Sequence, residues 1–431
     1  MSGGVVVVGG GAGGLELVSK LGRKLGPSQV TLVDCRLTHI WKPSLHEVAA
    51  GTLDIHQEGL SYQMLAHDNE FTFVYGPFTA LNQVNKTLTV GAVLDDKGSI
   101  LIPERELPFD QLVIAVGSTA NYFGVPGAAE HTISLNAFED AEHFRMRMLK
   151  LLTLAELKKA NDPTAGVNVV IVGGGATGVE LAAELREASS VHANYGFRKL
   201  DPHNDVRITI LEGAPRILAP LSERVSKSAA RLLSERNVNM VTSCRVVSIT
   251  DKCVTDATGK EYSADLCVWA AGIKAPDFLA KLGLTTTKSG QLEVDNHLRV
   301  TGAKDVFALG DCAACPGPDG KLVPPRAQSA HQQADYLYAR LLAAVKGKQP
   351  PTEPYVYHDH GSLVSIGTQS SVGSLMGSLR ATWFVEGMFA RWLYVSLHLM
   401  HHQAVLGSLR TGVLAVARFL VRRATPLVKL H

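Results

Sequence analysis

Two glycine-rich turns, each set between a run of β-branched residues and a helix, predict an α/β fold with two Rossmann-like dinucleotide-binding domains. A third observation concerns the C-terminal stretch, which combines apolar and basic residues at helical spacing. The predicted fold class therefore adds a C-terminal membrane-associating region to the two domains.

The first turn directly follows the valine run Val5–Val8, which is typical of a buried parallel strand. The motif requires glycine three times: Gly9 for the tight turn, Gly11 for close approach of a pyrophosphate, and Gly14 for packing of the helix on the strand. The next strand ends at Asp34, where a carboxylate accepts hydrogen bonds from a ribose diol. We therefore predict a dinucleotide at this turn.

The same arrangement recurs where Val167–Val172 leads into Gly173, Gly175 and Gly178. Chance glycine runs rarely recur with the same preceding strand and the same following helix. Two copies are thus a much more specific signal than one, and they predict a second nucleotide site.

The strand after the second turn ends in Glu212, which predicts a preference for NAD over NADP. A carboxylate here binds the free 2′-hydroxyl and repels a 2′-phosphate. Arg216 lies near enough in sequence to leave this choice open. The distance from Gly178 to Glu212 is longer than usual, which indicates an insertion within Ser189 to Asn204 whose role the sequence does not reveal.

Composition narrows the classes of function. The 431 residues suffice for two or three domains, and the net charge of +2 argues against a nucleic-acid partner. Six irregularly spaced cysteines do not make a disulfide framework, which fits a reducing compartment. The first strand follows Met1 almost at once without a signal peptide, so we expect the N-terminus to stay in the cytoplasm.

Further glycines end buried strands where the backbone would approach a bound nucleotide. Gly117 does so in the first half and Gly272 in the second. Gly310 and Asp311 end a short apolar strand and present a carboxylate to the ribitol or phosphate region of a flavin. We therefore divide the chain into a flavin-binding domain (1–163 and 291–349), an inserted second nucleotide domain (164–290) and a C-terminal region (350–431).

About residues 4 to 345 resemble the two-dinucleotide-fold flavoproteins, in which the first site holds FAD and the inserted second site holds a nicotinamide nucleotide. The segment Ala327 to Gln332 is similar to the AQxAxQ motif of type II NADH:quinone oxidoreductases, and Thr38 to Gly51 also resembles that family. The resemblance implies non-covalent FAD, NADH as co-substrate, and a cofactor contact for Ala327.

Gln328 and Gln332 are four residues apart, so on a helix both amides lie on one face and are able to hydrogen-bond a quinone. The alternative is that both are merely solvated. Glu180 matches a family glutamate that would position the nicotinamide or relay a proton; otherwise it is an acid favoured at a helix N-terminus. Lys42 and His46 lie either beside the flavin or in ordinary packing.

The implied function is a non-proton-pumping respiratory NADH dehydrogenase, which passes a hydride from NADH to FAD and then two electrons to a membrane quinone. A soluble NADH:ferredoxin or disulfide reductase is disfavoured by the basic amphipathic C-terminal stretch and by the absence of a cysteine pair from Trp41 to His46. A sulfide:quinone reductase is disfavoured because no cysteine lies between Cys35 and Cys244. A redox-inert flavoprotein scaffold is the alternative outside the enzymes.

Two other patterns weigh against additional redox or metal centres. Cys312 and Cys315 form a C-x-x-C that lacks the second ligand pair of a zinc site. We interpret both as helix-packing or incidental residues in preference to a redox pair. His401 and His402 are adjacent and point about 100° apart on a helix. We therefore expect no metal.

The C-terminal residues predict an amphipathic helix on a lipid membrane surface. No formal charge occurs between Arg391 and Arg410, but histidines interrupt the apolar run and argue against a spanning helix. One face of a helical wheel is apolar and the other is polar: Leu406, Leu409, Val413, Val416 and Leu420 against Thr411, Arg418 and Arg422. We expect a peripheral protein on the cytoplasmic face of the inner (cell) membrane; docking of this helix on its own chain or in a homodimer is the alternative.

Overall fold

The computed structural model describes residues 3–54, 59–317, 320–367, 370–376 and 382–424. The first large sheet is parallel, with strands in the order Val306–Ala308, Gln111–Ile114, Val5–Val8, Val30–Asp34 and Thr72–Tyr75. All four valines of the central strand are buried, as expected for a parallel sheet covered on both faces. The carboxyl end of this strand therefore places the first glycine turn at the middle of the sheet edge.

The second large sheet is also parallel and repeats this arrangement. Its strands stand in the order Ile133–Ser134, Leu266–Trp269, Val167–Val172, Val206–Leu211 and Val238–Val241. The second glycine turn again follows the central strand. The predicted α/β architecture with two similar parallel-sheet units is confirmed.

The helices connect these strands and cover the sheets. In chain order they are α1 (Ala12–Leu25), α2 (Leu45–Ala50), α3 (Tyr62–Asp68), α4 (Ala128–His131), α5 (Phe138–Lys158), α6 (Ala176–Tyr195), α7 (Glu223–Ser234), α8 (Ala327–Val345), α9 (Met388–Leu406) and α10 (Ser408–Ala424). Short 3-10 helices occur at Lys42–Ser44, Asp277–Lys281 and Gly310–Cys312. Helix α1 packs along α8, so the two halves of the first unit close on each other.

Smaller sheets and strand pairs complete the fold. Three antiparallel sheets contain Phe78–Asn82, Thr87–Val90 and Arg105–Pro108; Val246–Ile249, Cys253–Asp256 and Glu261–Ser263; and Gly361–Ser365, Ser371–Met376 and Thr382–Gly387. Paired short strands are Thr38–His39 with Leu60–Ser61, Val93–Leu94 with Ile100–Ile102, and Leu292–Glu293 with Ala313–Ala314.

Two short strands connect the two units: Thr119–Ala120 leads out of the first unit, and Ile273–Lys274 leads back to it. The two strands pair with each other in antiparallel orientation. Strand Ile133–Ser134 already belongs to the second sheet, and α5 buries Phe144 in the core of that unit. Leu279 already packs in the core of the first unit. Both crossing points therefore lie before the predicted boundaries at residues 163 and 290: α5 packs its apolar side on the second sheet, and Leu279 is already in the first core.

The C-terminal helix is broken at Gly407. Its φ of 80° favours glycine and ends α9 at Leu406, after which α10 begins at Ser408. The prediction that Leu406 shares the apolar face of α10 is therefore wrong: Leu406 lies on the preceding helix and packs against the first core. Within the described residues, no helix is long and apolar enough to cross a membrane.

The apolar face of α10 is exposed. Leu409 is 83% exposed, and Val413, Val416 and Leu420 are also exposed. Helix α9 adds further exposed apolar side chains that the helical wheel of the C-terminal residues does not include: Met388, Phe389, Trp392 and Met400. Together these eight residues form what we call the apolar surface. The side chains of Arg418 and Arg422 lie outside the described part of the chain.

Candidate functional site

The first glycine turn has the steric features of a pyrophosphate cradle. Gly9 has a φ of 101°, which side chains rarely adopt. A Cβ at Gly14 would lie 1.9 Å from the Gly9 carbonyl oxygen, so α1 is able to pack this closely only without a side chain. A Cβ at Gly11 would meet nothing within 4 Å, which leaves the backbone open to a ligand.

The second turn has the same three features. Gly173 has a φ of 113°, and a Cβ at Gly178 would lie 2.0 Å from the Gly173 carbonyl oxygen. A Cβ at Gly175 would again meet nothing within 4 Å. Each turn therefore combines two sterically required glycines with one that faces open space at a helix N-terminus, where an anion is favoured.

A carboxylate stands beside each turn in the same hydrogen-bond arrangement. Asp34 accepts from the amide of Gly10 at 2.6 Å and from that of Arg36 at 2.8 Å. Burial raises the pKa of Asp34, and the Gly10 amide opposes this shift.

At the second turn Glu212 accepts from the amides of Gly174 at 2.6 Å and Ala214 at 2.7 Å. The guanidinium of Arg216 donates instead to backbone carbonyls, including that of Ala219 at 2.6 Å and that of Leu221 at 2.8 Å. Arg216 therefore holds the loop that follows Glu212 and does not pair with the carboxylate.

A polar cluster joins four segments of the chain at the edge of the first sheet. The Ser118 hydroxyl donates to Asp311 at 2.8 Å, and Lys42 donates to the Ser118 carbonyl at 3.0 Å and to Asn136 at 2.8 Å. Burial lowers the pKa of Lys42, while Asp311 opposes this shift. Lys42 thus lies beside Ser118, the residue whose hydroxyl bonds Asp311.

Two of the predicted glycines, Gly117 and Gly310, directly precede members of this cluster in the chain. Gly117 and Gly310 have φ of 70° and 73°, and a Cβ at Gly117 would meet nothing within 4 Å. Gly272 differs, because a Cβ there would lie 2.5 Å from the ring of Phe123. Gly272 therefore packs beneath an aromatic ring.

Helix α8 begins at Ala327 and carries both predicted glutamines on one face. Gln332 accepts from the His358 amide at 2.9 Å and donates to the same residue's carbonyl at 2.7 Å. Gln328 donates to the Gly361 carbonyl at 3.0 Å and accepts from the amide of His360 at 3.2 Å. The two amides hold residues 358–361 against α8.

Gln333 was not identified from the sequence. It is buried, and its side-chain oxygen accepts from the Gly310 amide at 2.7 Å, next to Asp311. The sequence signal is only its position one residue after the motif. Gln333 thus fixes the turn that presents Asp311.

Glu180 lies in the first turns of α6 and is buried. It accepts from the Ser365 amide at 3.0 Å, and its second oxygen lies 3.5 Å from Nδ1 of His46. Burial raises the pKa of Glu180 to about 8 and lowers that of His46 to about 4. The structure therefore brings a residue of the second unit against α2 of the first.

Cys312 and Cys315 are buried free thiols. Burial raises their pKa values to about 12 and about 11, which disfavours the thiolate needed for redox or metal chemistry. Cys312 contacts the Leu309 carbonyl at 3.3 Å. These observations fit the packing interpretation.

Two groups of possible metal ligands occur among the described residues: Glu16, His331 and Asp335, and His46, Glu47 and Glu184. In the first group the ammonium of Lys20 bonds both Glu16 and Asp335. That group is an ion-pair network between α1 and α8.

Comparison with known proteins places these features in a family. Residues 3–334 match the family described as pyridine nucleotide-disulphide oxidoreductase. The chain is 37% identical to the type II NADH:quinone oxidoreductase of Haemophilus influenzae, over 99% of both chains. It is 29% identical to the type II NADH:quinone oxidoreductase NdhA of Mycobacterium tuberculosis, over 92% of this chain and 83% of that one.

A solved structure shares the whole fold. NDH2 from Plasmodium falciparum, in complex with NADH, superposes with a TM-score of 0.80 at 20% identity, over 99% of both chains. The match extends beyond the two nucleotide units and includes the C-terminal region.

Proposed function

The chain belongs to the pyridine nucleotide-disulphide oxidoreductases and, among them, to the type II NADH:quinone oxidoreductases, and on that premise we propose that it oxidises NADH and reduces a membrane quinone with non-covalently bound FAD. The observation that carries this proposal is the repetition of one arrangement: an open glycine turn with a carboxylate bonded to its backbone, at Asp34 and again at Glu212.

The residues of the first unit fit FAD. The open backbone at Gly11 suits a pyrophosphate, Asp34 suits a ribose diol, and Asp311 suits the ribitol. The Ser118 hydroxyl holds Asp311 in place, and Lys42 holds Ser118 through its carbonyl. Bound FAD supplies two-electron chemistry between NADH and a quinone, and the protein supplies binding, orientation and electrostatics.

NADH is the proposed occupant of the second turn. Gly175 leaves room for its pyrophosphate, and Glu212 accepts hydrogen bonds from a ribose diol while repelling a 2′-phosphate. The guanidinium of Arg216 donates its hydrogen bonds to backbone carbonyls, so it does not neutralise the charge of the Glu212 carboxylate. This arrangement supports a preference for NADH over NADPH.

The proposed quinone site lies on α8, at Gln328 and Gln332. Within the described residues, Gln332 uses one N–H and one lone pair on His358 and retains one of each for a quinone carbonyl or hydroxyl. Gln328 fixes the neighbouring backbone at Gly361. Glu180, held between His46 and the Ser365 amide, is proposed to position the nicotinamide or to hold a proton near it.

The apolar surface is the proposed contact with the membrane, on its cytoplasmic face. Each Leu-sized side chain that leaves water contributes about 1.5–3 kcal/mol, so several acting together suffice for peripheral binding even after association costs. Trp392, an aromatic side chain favoured at membrane interfaces, is 73% exposed.

Purified protein tests the proposal directly. Heat release and chromatography should yield one FAD per chain, and NADH oxidation with a short-chain quinone should proceed at least as fast as with a soluble acceptor. Release of FMN, or activity with the soluble acceptor alone, would overturn the assignment of cofactor or of acceptor.

A further inference from the structure

Ionisable groups from three helices form a buried cluster between the two nucleotide units. Helix α2 supplies His46 and Glu47, α6 supplies Glu180 and Glu184, and α9 supplies Arg391. None of the five is more than 9% exposed, and Glu184 is 1% exposed. We call these five residues the acid cluster.

The members of the acid cluster are in contact. Nδ1 of His46 lies 3.5 Å from Glu180, and the Arg391 guanidinium lies 3.5 Å from Glu47. Possible ligand atoms of His46, Glu47 and Glu184 all lie within 4.8 Å of one another. Glu184, His46 and Glu180 therefore follow one another at separations of 4.8 Å or less, without a hydrogen bond between Glu184 and His46.

The charges of the acid cluster do not balance if every acid is ionised. Three buried carboxyl groups face one guanidinium, that of Arg391, because burial keeps His46 neutral at pH 7. Uncompensated buried carboxylates are costly, so the acid cluster retains protons at neutral pH. Burial, reinforced by Glu47, raises the pKa of Glu184 to about 8.

Glu184 has an unusual environment for a buried acid. One oxygen accepts from the Thr52 hydroxyl at 3.1 Å. Its other oxygen, Oε1, and Nε2 of His46 have no hydrogen-bond partner within the described residues, although both side chains are at least 98% buried. Other groups acting on Glu184 are Glu187 on its own helix and Arg391 on α9. A proton on Oε1 is thus not held by a second acceptor.

The proposed reaction requires one proton from outside the nucleotide. Conversion of a quinone to a quinol takes two electrons and two protons, whereas the hydride of NADH brings two electrons and one proton. We propose that Glu184 stores the second proton and passes it through His46 to Glu180 at the redox site. This inference rests on the proposed function.

Each step of this relay moves a proton and no electrons. Glu180 first gives its proton to the quinone oxygen that is being reduced. The imidazole of His46 then gives its Nδ1 proton to the Glu180 carboxylate, and its Nε2 takes the proton of the Glu184 carboxyl group. The resulting Glu184 carboxylate takes a proton from solvent before the next turnover. Glu184 acts through other residues, so it is a positioning residue and not a catalytic one.

Glu184→Gln tests the relay because it keeps the size and the Thr52 contact while removing the exchangeable carboxyl proton. Glu187→Gln, three residues along α6, is the comparison variant, because it removes a neighbouring carboxyl group that is outside the relay. Anaerobic stopped-flow separates bleaching of the flavin by NADH from its recovery on addition of a short-chain quinone. Infrared spectroscopy at neutral pH detects the protonated carboxyl group without turnover.

We expect Glu184→Gln to lack the infrared band of the carboxylic acid. Reoxidation of the flavin by the quinone should slow about tenfold, which is less than the roughly 100-fold loss expected when a direct general acid is removed. Bleaching by NADH should stay unchanged. In the wild type the quinone step should slow as pH rises through about 8, because Glu184 then loses its proton. Glu184→Asp should restore part of this pH dependence. Glu187→Gln should keep the pH dependence with its midpoint at a lower pH, because the charge of Glu187 helps to raise the pKa of Glu184.

An unchanged infrared band, or an unchanged quinone step with the same pH profile, would overturn the inference. A stoichiometric divalent cation that is lost in Glu184→Gln would overturn it as well, because His46, Glu47 and Glu184 would then be metal ligands. If the wild type itself fails to reduce a quinone, the proposed function fails, and the infrared measurement separates that outcome from failure of the proton store.

Discussion

The carboxylate of Glu212 accepts a hydrogen bond from the Gly174 amide at 2.6 Å, directly beside the second glycine turn. Asp34 and Gly10 make the same bond at the same distance beside the first turn. In both places the backbone of the glycine turn holds the carboxylate, and the same backbone would bind the nucleotide. Its position is therefore set before a nucleotide binds.

Replacement of Glu212 by glutamine should weaken discrimination between the two nicotinamide nucleotides. The wild type should prefer NADH, and the variant should lose about tenfold in kcat/KM for NADH, the equivalent of about 1.4 kcal/mol. NADPH should gain, because a negative charge is removed. Glu223→Gln, an exposed change in the same unit, is the control. Equal kcat/KM values for both nucleotides in the wild type would contradict this assignment.

Gln332→Leu should impair quinone reduction and spare the reaction with NADH. The substitution removes the amide bonded to His358 and the hydrogen-bonding groups proposed for the quinone. We expect KM for a short-chain quinone to rise about tenfold, since one hydrogen bond to an uncharged group contributes roughly 1 kcal/mol and the wall of the site is disturbed as well. The exposed Gln83→Leu serves as control. Equal slowing of both half-reactions in Gln332→Leu would mean that Gln332 supports the fold only.

The apolar surface should determine membrane binding. Changing Leu409, Val413 and Val416 together to glutamine should move the protein out of the membrane fraction while it keeps its flavin and its activity with soluble acceptors. High salt should release the wild type only partly, because the apolar contribution is not screened. Sedimentation with vesicles measures this.

The control for this variant is a double change at Leu154 and Leu157, which are 52% and 67% exposed on α5. Loss of these side chains should leave vesicle binding intact. A triple variant that still binds vesicles would show that the α10 face is a contact within the protein or between subunits.

The acid cluster should make stability depend on pH. The pKa of Glu184 is about 8 in the folded protein, against 4.5 for the ordinary side chain. The folded state therefore binds the proton more tightly, so its contribution to stability is complete below about 4.5 and is lost as pH rises through about 8. Glu184→Gln should be stabilised relative to the wild type at pH 9 and not at pH 5. Thermal unfolding at both pH values measures this, and parallel curves for the two proteins would contradict it.

Much of the fold could be predicted because its signals are local. The glycine turns are recognisable since Gly9 and Gly173 need positive φ, and since Gly14 and Gly178 approach the backbone of their own turns. Strand, turn and helix then lie within a few residues of each other. Asp34 ends the next strand of the sheet, and the pairing of that strand with the first one brings its carboxylate to the Gly10 amide.

The rest of the site depends on contacts between distant residues. Lys42, Ser118 and Asp311 meet only once the first sheet has closed, and His46 reaches Glu184 only because α2 packs against the second unit. The break at Gly407 was missed because the apolar spacing continues across it, so only the positive φ reveals that α9 and α10 are separate helices.

The most direct test of the central claim is an anaerobic single-turnover experiment on the wild type. A stoichiometric amount of NADH should bleach the flavin absorbance completely, and one equivalent of a short-chain quinone should restore it with formation of quinol. NADPH should bleach it much more slowly. Flavin that NADH does not bleach would indicate a redox-inert flavoprotein, and bleached flavin that a quinone does not restore would contradict the proposed acceptor.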